Sequence, residues 1–229
     1  MVGGDAGAHQ PATLRPPDPG APVADAVRDA VLAGHRGDSA SAAALVAHPE
    51  PAVRAAALGA LARAGALDDD ALRGALADVD PAVRRRACLL AGRVLAGPTG
   101  TPAPALVGVL TTTVSQEPDA SVVEVAAWAL GEAGTRCGPA TVRALEAVAS
   151  GHADALCREA AVAALGAIGD IGALSTVIGA LDDKPADRRR AVVALAAFDD
   201  ARADAALRRC LDDRDWQVRQ AAEDLLGRP

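Results

Sequence analysis

Small and hydrophobic residues recur along this chain at helical spacing, and the whole pattern then repeats. A slot filled by Val53, Val83, Val122, Cys157, Asp187 and Val218 is followed four and eight residues on by Ala57 and Leu61, Ala87 and Ala91, Ala126 and Leu130, Ala161 and Leu165, Ala191 and Leu195, and Ala222 and Leu226. At about 100° per residue these slots share one helix face, so each set predicts an amphipathic helix with that face turned inward. The steps between successive slots are 30, 39, 35, 30 and 31 residues, a period that belongs to a repeat array. No stretch alternates with period two, so no strand is predicted.

The polar positions mark where these helices begin and end. Three residues before the Val slot stand Glu50, Asp80, Asp119, Asp154, Lys184 and Asp215. A carboxylate there accepts from the orphan N–H groups of the first turn and sits at the positive end of the helix dipole. Pro81 follows Asp80 at the first helical position, where its missing N–H is harmless. Gly65, Gly134 and Gly169 follow their helices as left-handed terminators. One residue after the slot stand Arg54, Arg84, Val123, Arg158, Arg188 and Arg219. An arginine four residues past its acid reaches back to it or across to the acid of an adjacent unit. Asp80 with Arg84, Asp154 with Arg158, and Asp215 with Arg219 therefore read as a structural ladder.

Element by element, residues 1–20 are rich in Pro and Gly and are expected to be a disordered tail, followed by a single domain over 21–229. A capping helix is predicted over 23–33, broken by Gly34 and Gly37. Helix pairs follow at 39–47 with 51–64, 68–77 with 81–95, 104–115 with 121–133, 140–150 with 155–168, 172–181 with 186–198, and 203–211 with 216–226. The turn-rich stretch 96–104 is predicted as a loop and accounts for the long 39-residue step.

Acid, two residues, Val, Arg, then Ala, Leu and Gly at helical spacing, repeated over roughly residues 38–229, resembles the HEAT-repeat family. The likeness is to the short bacterial kind, similar to the repeats of phycobilisome bilin lyases. The resemblance implies an all-α fold: a right-handed α-solenoid of about six helical hairpins with an N-terminal capping helix, the second helices lining a concave face. It implies a binding scaffold more than a catalyst.

Composition changes this picture only in part. Hydrophobic residues make up 51% of the chain but aromatics 1%, with alanine carrying the excess. Helices can then approach closely, and Leu, Val and Ile must supply most of the burial energy, roughly 1.5–3 kcal/mol each when fully buried. A net charge of -7 argues against nucleic acid as partner, since phosphate binding relies on clustered Lys and Arg and Lys184 is the only lysine. Cys88, Cys137, Cys157 and Cys210 lie too far apart for a metal motif and read as reduced core residues of a cytoplasmic protein. No apolar block marks a membrane segment, and neither a metal nor a cofactor is implied.

The slots two and six residues past Val point opposite to the buried face. They collect Arg85 and Leu89, Glu124 and Trp128, Glu159 and Ala163, Arg189 and Val193, and Gln220 and Asp224. Mixed charges around a few apolar residues suit a protein or peptide partner, so Arg85, Leu89, Glu124, Trp128, Glu159, Arg189 and Val193 form the predicted partner-binding stripe. Trp128 is its only large aromatic. The reading is a non-catalytic interaction or scaffold module, with no catalytic residue assigned. The alternative is an accessory enzyme or chaperone of bilin-lyase type that holds a small ligand in the groove. Iron-dependent hydroxylation on this scaffold uses His-Glu pairs, and no His here is followed by Glu.

Overall fold

The computed structural model describes residues 22–97 and 103–227. The predicted tail and most of the predicted 96–104 loop lie outside the described residues. Those described form helices, 3-10 turns and short connections, with no strand among them. They fall into two compact units that divide between Leu67 and Asp68.

The first unit holds α1 (Val23–Arg36), α2 (Ser39–Ala44) and α3 (Pro51–Arg63). Helix α1 lies along α3, burying Ala26 and Ala30 with Leu45, Val53 and Ala57. Gly34 does not break α1. It lies inside the helix, where a Cβ would come within 2.7 Å of Ala60 Cα, so its lack of a side chain lets α1 and α3 touch. Gly37 ends the helix instead, at φ 71°.

The second unit holds α4 (Asp69–Leu76), α5 (Pro81–Ala96), α6 (Ala103–Gln116), α7 (Ala120–Ala133), α8 (Pro139–Gly151), α9 (Ala155–Ile168), α10 (Leu174–Gly179), α11 (Pro185–Leu195), α12 (Ala201–Cys210) and α13 (Trp216–Leu226). Helices α5, α7, α9, α11 and α13 pack each on the next as one row, and α6, α8, α10 and α12 pack as a second. The helix predicted over 172–181 is in three pieces. A 3-10 turn at Ile171–Ala173 is capped by Asp170, whose Oδ1 accepts from the Gly172 N–H at 2.8 Å, and a second 3-10 turn at Ala180–Asp182 follows Gly179. Gly172 lies just before the short α10 and Gly179 is its last residue, so a continuous helix gains little.

The repeating inward face is the core. Val53, Val83, Val122, Cys157 and Val218 are buried, as are the Ala and Leu slots behind them apart from Leu226, which is half-buried. Asp187 is the exception in chemistry rather than place. It occupies the Val slot at 2% exposure, and neither carboxylate oxygen has a hydrogen-bond partner.

A second repeating slot sets how closely the main row packs. Nine residues past the Val slot stand Gly92, Gly131 and Gly166. A Cβ at Gly131 would lie 3.2 Å from Ala164 Cα, and one at Gly166 would lie 2.8 Å from Ala194 Cα. Each glycine is thus a dent into which the next second helix presses.

Candidate functional site

Which charges are free to meet a partner depends first on which ones the scaffold uses. The acids at the helix starts are N-caps: Oδ1 of Asp80, Asp119, Asp154 and Asp215 accepts from the N–H two residues on, at 2.8–2.9 Å. Arg84 pairs not with Asp80, and Arg158 not with Asp154, but each with an acid farther along the chain. Arg84 donates through Nε and Nη2 to both oxygens of Glu117 at 2.8 and 2.7 Å. Arg158 does the same to Asp183 at 2.7 and 3.1 Å, and Arg188 to Asp213 at 2.9 and 2.8 Å. Each Nη1 turns back to carbonyls of its own turn, those of Asp78 and Val79 for Arg84, and His152 and Ala153 for Arg158. Arg219, in the last repeat, keeps only the backward contact, to the Asp213 carbonyl at 2.7 Å.

Each acid in these clasps lies one or two residues before the next repeat's cap, and it also accepts from a nearby backbone N–H. Glu117 takes that of Asp119, Asp183 that of Lys184, and Asp213 that of Asp215. The guanidinium hydrogen bonds hold Glu117, Asp183 and Asp213 below the usual carboxylate range and raise the arginines in return. A bidentate guanidinium–carboxylate fork fixes orientation as well as distance. One clasp is missing. Val123 replaces the arginine on α7, and at the next turn His152 replaces the acid, its Nδ1 accepting from the Asp154 N–H at 3.1 Å.

What remains is a groove of about 430 Å³ over α5, α7 and α9, lined by Leu89, Glu124, Trp128, Glu132, Leu156, Glu159 and Arg190 above a floor of Gly and Ala. Of the predicted stripe, Leu89, Glu124, Trp128 and Glu159 come together here. Arg85, Arg189 and Val193 are exposed but do not line it: Arg189 Nη1 reaches Gln217 at 3.2 Å, and Val193 is 52% exposed farther along the row.

Trp128 is held by its neighbour's missing side chain. Its ring occupies the dent at Gly92, where a Cβ would fall 2.8 Å from Cη2 and 3.0 Å from Cε3. The residue still keeps 38% of its surface accessible. Glu124 and Glu132 stand one turn to either side of it on α7, half-buried, and neither makes an ion pair among the described residues. Glu159 accepts from Arg190 Nη2 at 2.9 Å and Nε at 3.2 Å.

Sequence reasoning missed Arg190, Leu156 and Glu132 as groove residues. Arg190 and Glu159 lie one period apart in adjacent slots, which was the available signal. The cysteines are not groove nucleophiles. All are buried, and burial pushes the Cys88 thiol up to about 12 and those of Cys137 and Cys157 up to about 11. No group of three His, Cys, Asp or Glu able to hold a metal occurs among the described residues, and no described helix is long and apolar enough to cross a membrane.

Helix pairs stacked in two rows, with a shallow groove along the second helices, define an α-solenoid repeat protein. Residues 107–196 match the model for HEAT repeats and residues 187–213 that for the PBS lyase HEAT-like repeat. Residues 107–213 of the chain thus carry HEAT and HEAT-like repeats. Among solved structures it is similar to YibA of E. coli, at 17% identity over 85% of this chain and 72% of that one with a TM-score of 0.63. An engineered protein matches at 22% identity over 83% and 97% with a TM-score of 0.60. A designed armadillo repeat protein in complex with the peptide (KR)4 matches at 17% identity over 85% and 98% with a TM-score of 0.56. No curated protein matches the chain.

Proposed function

We propose that this chain is a non-catalytic interaction module that binds a partner protein or peptide along the groove of α5, α7 and α9. The observation that carries the reading is Trp128: a large aromatic seated by Gly92, still 38% accessible, between two carboxylates that the scaffold does not use. Trp is favoured at binding hot spots because it buries a large area while keeping a polar N–H. The contact surface extends through Arg85, Leu89, Glu124 and Glu159 to Arg189 and Val193. That a designed armadillo repeat protein of similar fold is described with a bound peptide supports the kind of partner. Four unpaired, buried thiols support a reducing, cytoplasmic setting.

The test compares partner capture by the wild-type chain with that by Trp128→Ala, Glu124→Arg and Val193→Asp. Trp128→Ala empties the dent at Gly92 and so lowers stability as well, which makes the two surface variants the cleaner probes. Each variant that keeps wild-type circular dichroism should weaken a partner's binding by more than about 1 kcal/mol, roughly fivefold in affinity. Undiminished binding by folded Glu124→Arg and Val193→Asp would overturn the groove assignment. A visible absorbance band carried by the purified protein would favour a small-ligand role instead.

A further inference from the structure

We infer that the Trp128 site takes one isolated cationic side chain of the partner, an arginine or lysine with no second cation about three residues away, and discriminates against polybasic runs. The inference rests on the groove reading above and specifies its ligand.

The attractive half comes from α7. Glu124, Trp128 and Glu132 are spaced by four residues and so form one stripe, with a carboxylate about 6 Å along the axis on either side of the indole. Both carboxylates are half-buried and without an ion pair among the described residues, so each has lost part of its hydration with no compensating cation. A guanidinium or ammonium over the accessible indole meets the negative face of the ring and the field of both carboxylates at once. Arginine suits the geometry better, because its plane stacks on the ring while its edges donate to carboxylates. Glu159 contributes less, since its Oε1 already takes two nitrogens of Arg190.

The selective half comes from the neighbouring helices. The matching stripe on α5 is Arg85, Leu89 and Arg93, with both arginines exposed and without an ion pair among the described residues. On the other side, beyond α9, α11 presents Arg189 and Arg190. Packed helices are about 8–10 Å apart, which an extended peptide covers in about three residues. A peptide crossing the row with its cation at Trp128 therefore sets the residue three positions away over the α5 arginines. A second cation there is repelled, and an acidic residue is matched.

The test uses the full chain carrying Trp216→Phe, which leaves Trp128 as the sole indole. The probes are the acetylated nonapeptide Gly-Glu-Ala-Ala-Arg-Ala-Ala-Glu-Gly, its copy with citrulline for Arg, and its copy with Arg for both Glu. Binding is followed by indole fluorescence and by the indole N–H resonance. The single-Arg peptide should shift that resonance and bind at least tenfold more tightly than either copy, and Glu124→Gln with Glu132→Gln should remove the preference over citrulline. Equal binding of the citrulline peptide would overturn the cation site while leaving the groove a contact surface. Tighter binding of the three-Arg peptide would overturn the discrimination. No shift with any probe at millimolar concentration would overturn the inference outright, whereas the groove reading stands or falls on the partner experiment with Glu124→Arg and Val193→Asp.

Discussion

Replacing Asp187 by Val should stabilise this protein. The residue fills a slot that holds Val in four other repeats, it is 2% exposed, and both of its oxygens lack a hydrogen-bond partner. A buried polar group left unsatisfied costs about 1–3 kcal/mol, and a buried Val side chain contributes about 1.5 kcal/mol of its own. Against this stands the pull of Arg158, whose Nη2 lies 3.8 Å from Asp187 Oδ2 but is already committed to Asp183. We expect a net gain of about 2 kcal/mol at neutral pH, or about 4–8 °C in Tm for a chain of this length. The pH dependence checks the cause. Desolvation raises the Asp187 carboxyl above its ordinary value of 3.8, helped by the Asp183 and Glu159 charges and opposed by Arg158. A raised acid holds its proton more tightly folded than unfolded, so the wild type loses stability as pH rises from about 3.8 through the folded value. The advantage of Asp187→Val, measured by urea unfolding at pH 7 and pH 4.5, should thus be larger at pH 7. A destabilised variant, or a gain equal at both pH values, would refute the reasoning.

Three further outcomes follow from the packing. Leu130→Ala, at a fully buried core slot, should cost about 2–5 kcal/mol through lost transfer energy and the cavity left behind, read as a lowered urea midpoint. Arg188→Ala strands Asp213 in a nearly buried site and should cost about 3 kcal/mol at pH 7. Because Asp213 is held below its ordinary value by Arg188, that stabilisation is present above about pH 4 and fades as pH falls through the folded value, so variant and wild type should converge in acid. Gly92→Ala drives a methyl into the Trp128 ring. Despite the better helix propensity of Ala it should cost about 1–3 kcal/mol and shift the Trp128 emission, and a neutral result would place the ring elsewhere.

The Val–Ala–Leu stripe and the acids at helix starts were legible because both act within one helix, where a fixed rotation and a fixed cap geometry translate spacing into position. Of the two partners open to Arg84, its own acid or one across the stack, the fork closes across the stack on Glu117, two residues before the cap of the next second helix, a distance that no spacing within one helix encodes. Gly34 looks like a helix breaker in the sequence, yet it serves close approach of α1 to α3. The same logic, applied to Gly92, Gly131 and Gly166 as one recurring slot, would have placed the ring of Trp128. Four of the seven predicted stripe residues gather in the groove; Arg85 stands outside it one turn before Leu89 on α5, and Arg189 and Val193 stand outside it on α11. Arg190 was hidden for the opposite reason, one slot away from the stripe but long enough to reach Glu159.

The clasps also make the array mechanically uneven. Separating α5 from α7, α9 from α11, or α11 from α13 breaks a bidentate ion pair at Glu117, Asp183 or Asp213 respectively. Separating α7 from α9 breaks none among the described residues, since Val123 and His152 stand where the arginine and the acid would be. That unlatched step is the one the groove straddles. The spacing of α7 and α9 under the groove is therefore set by packing, with Gly131 seated against Ala164, and by no ion pair among the described residues.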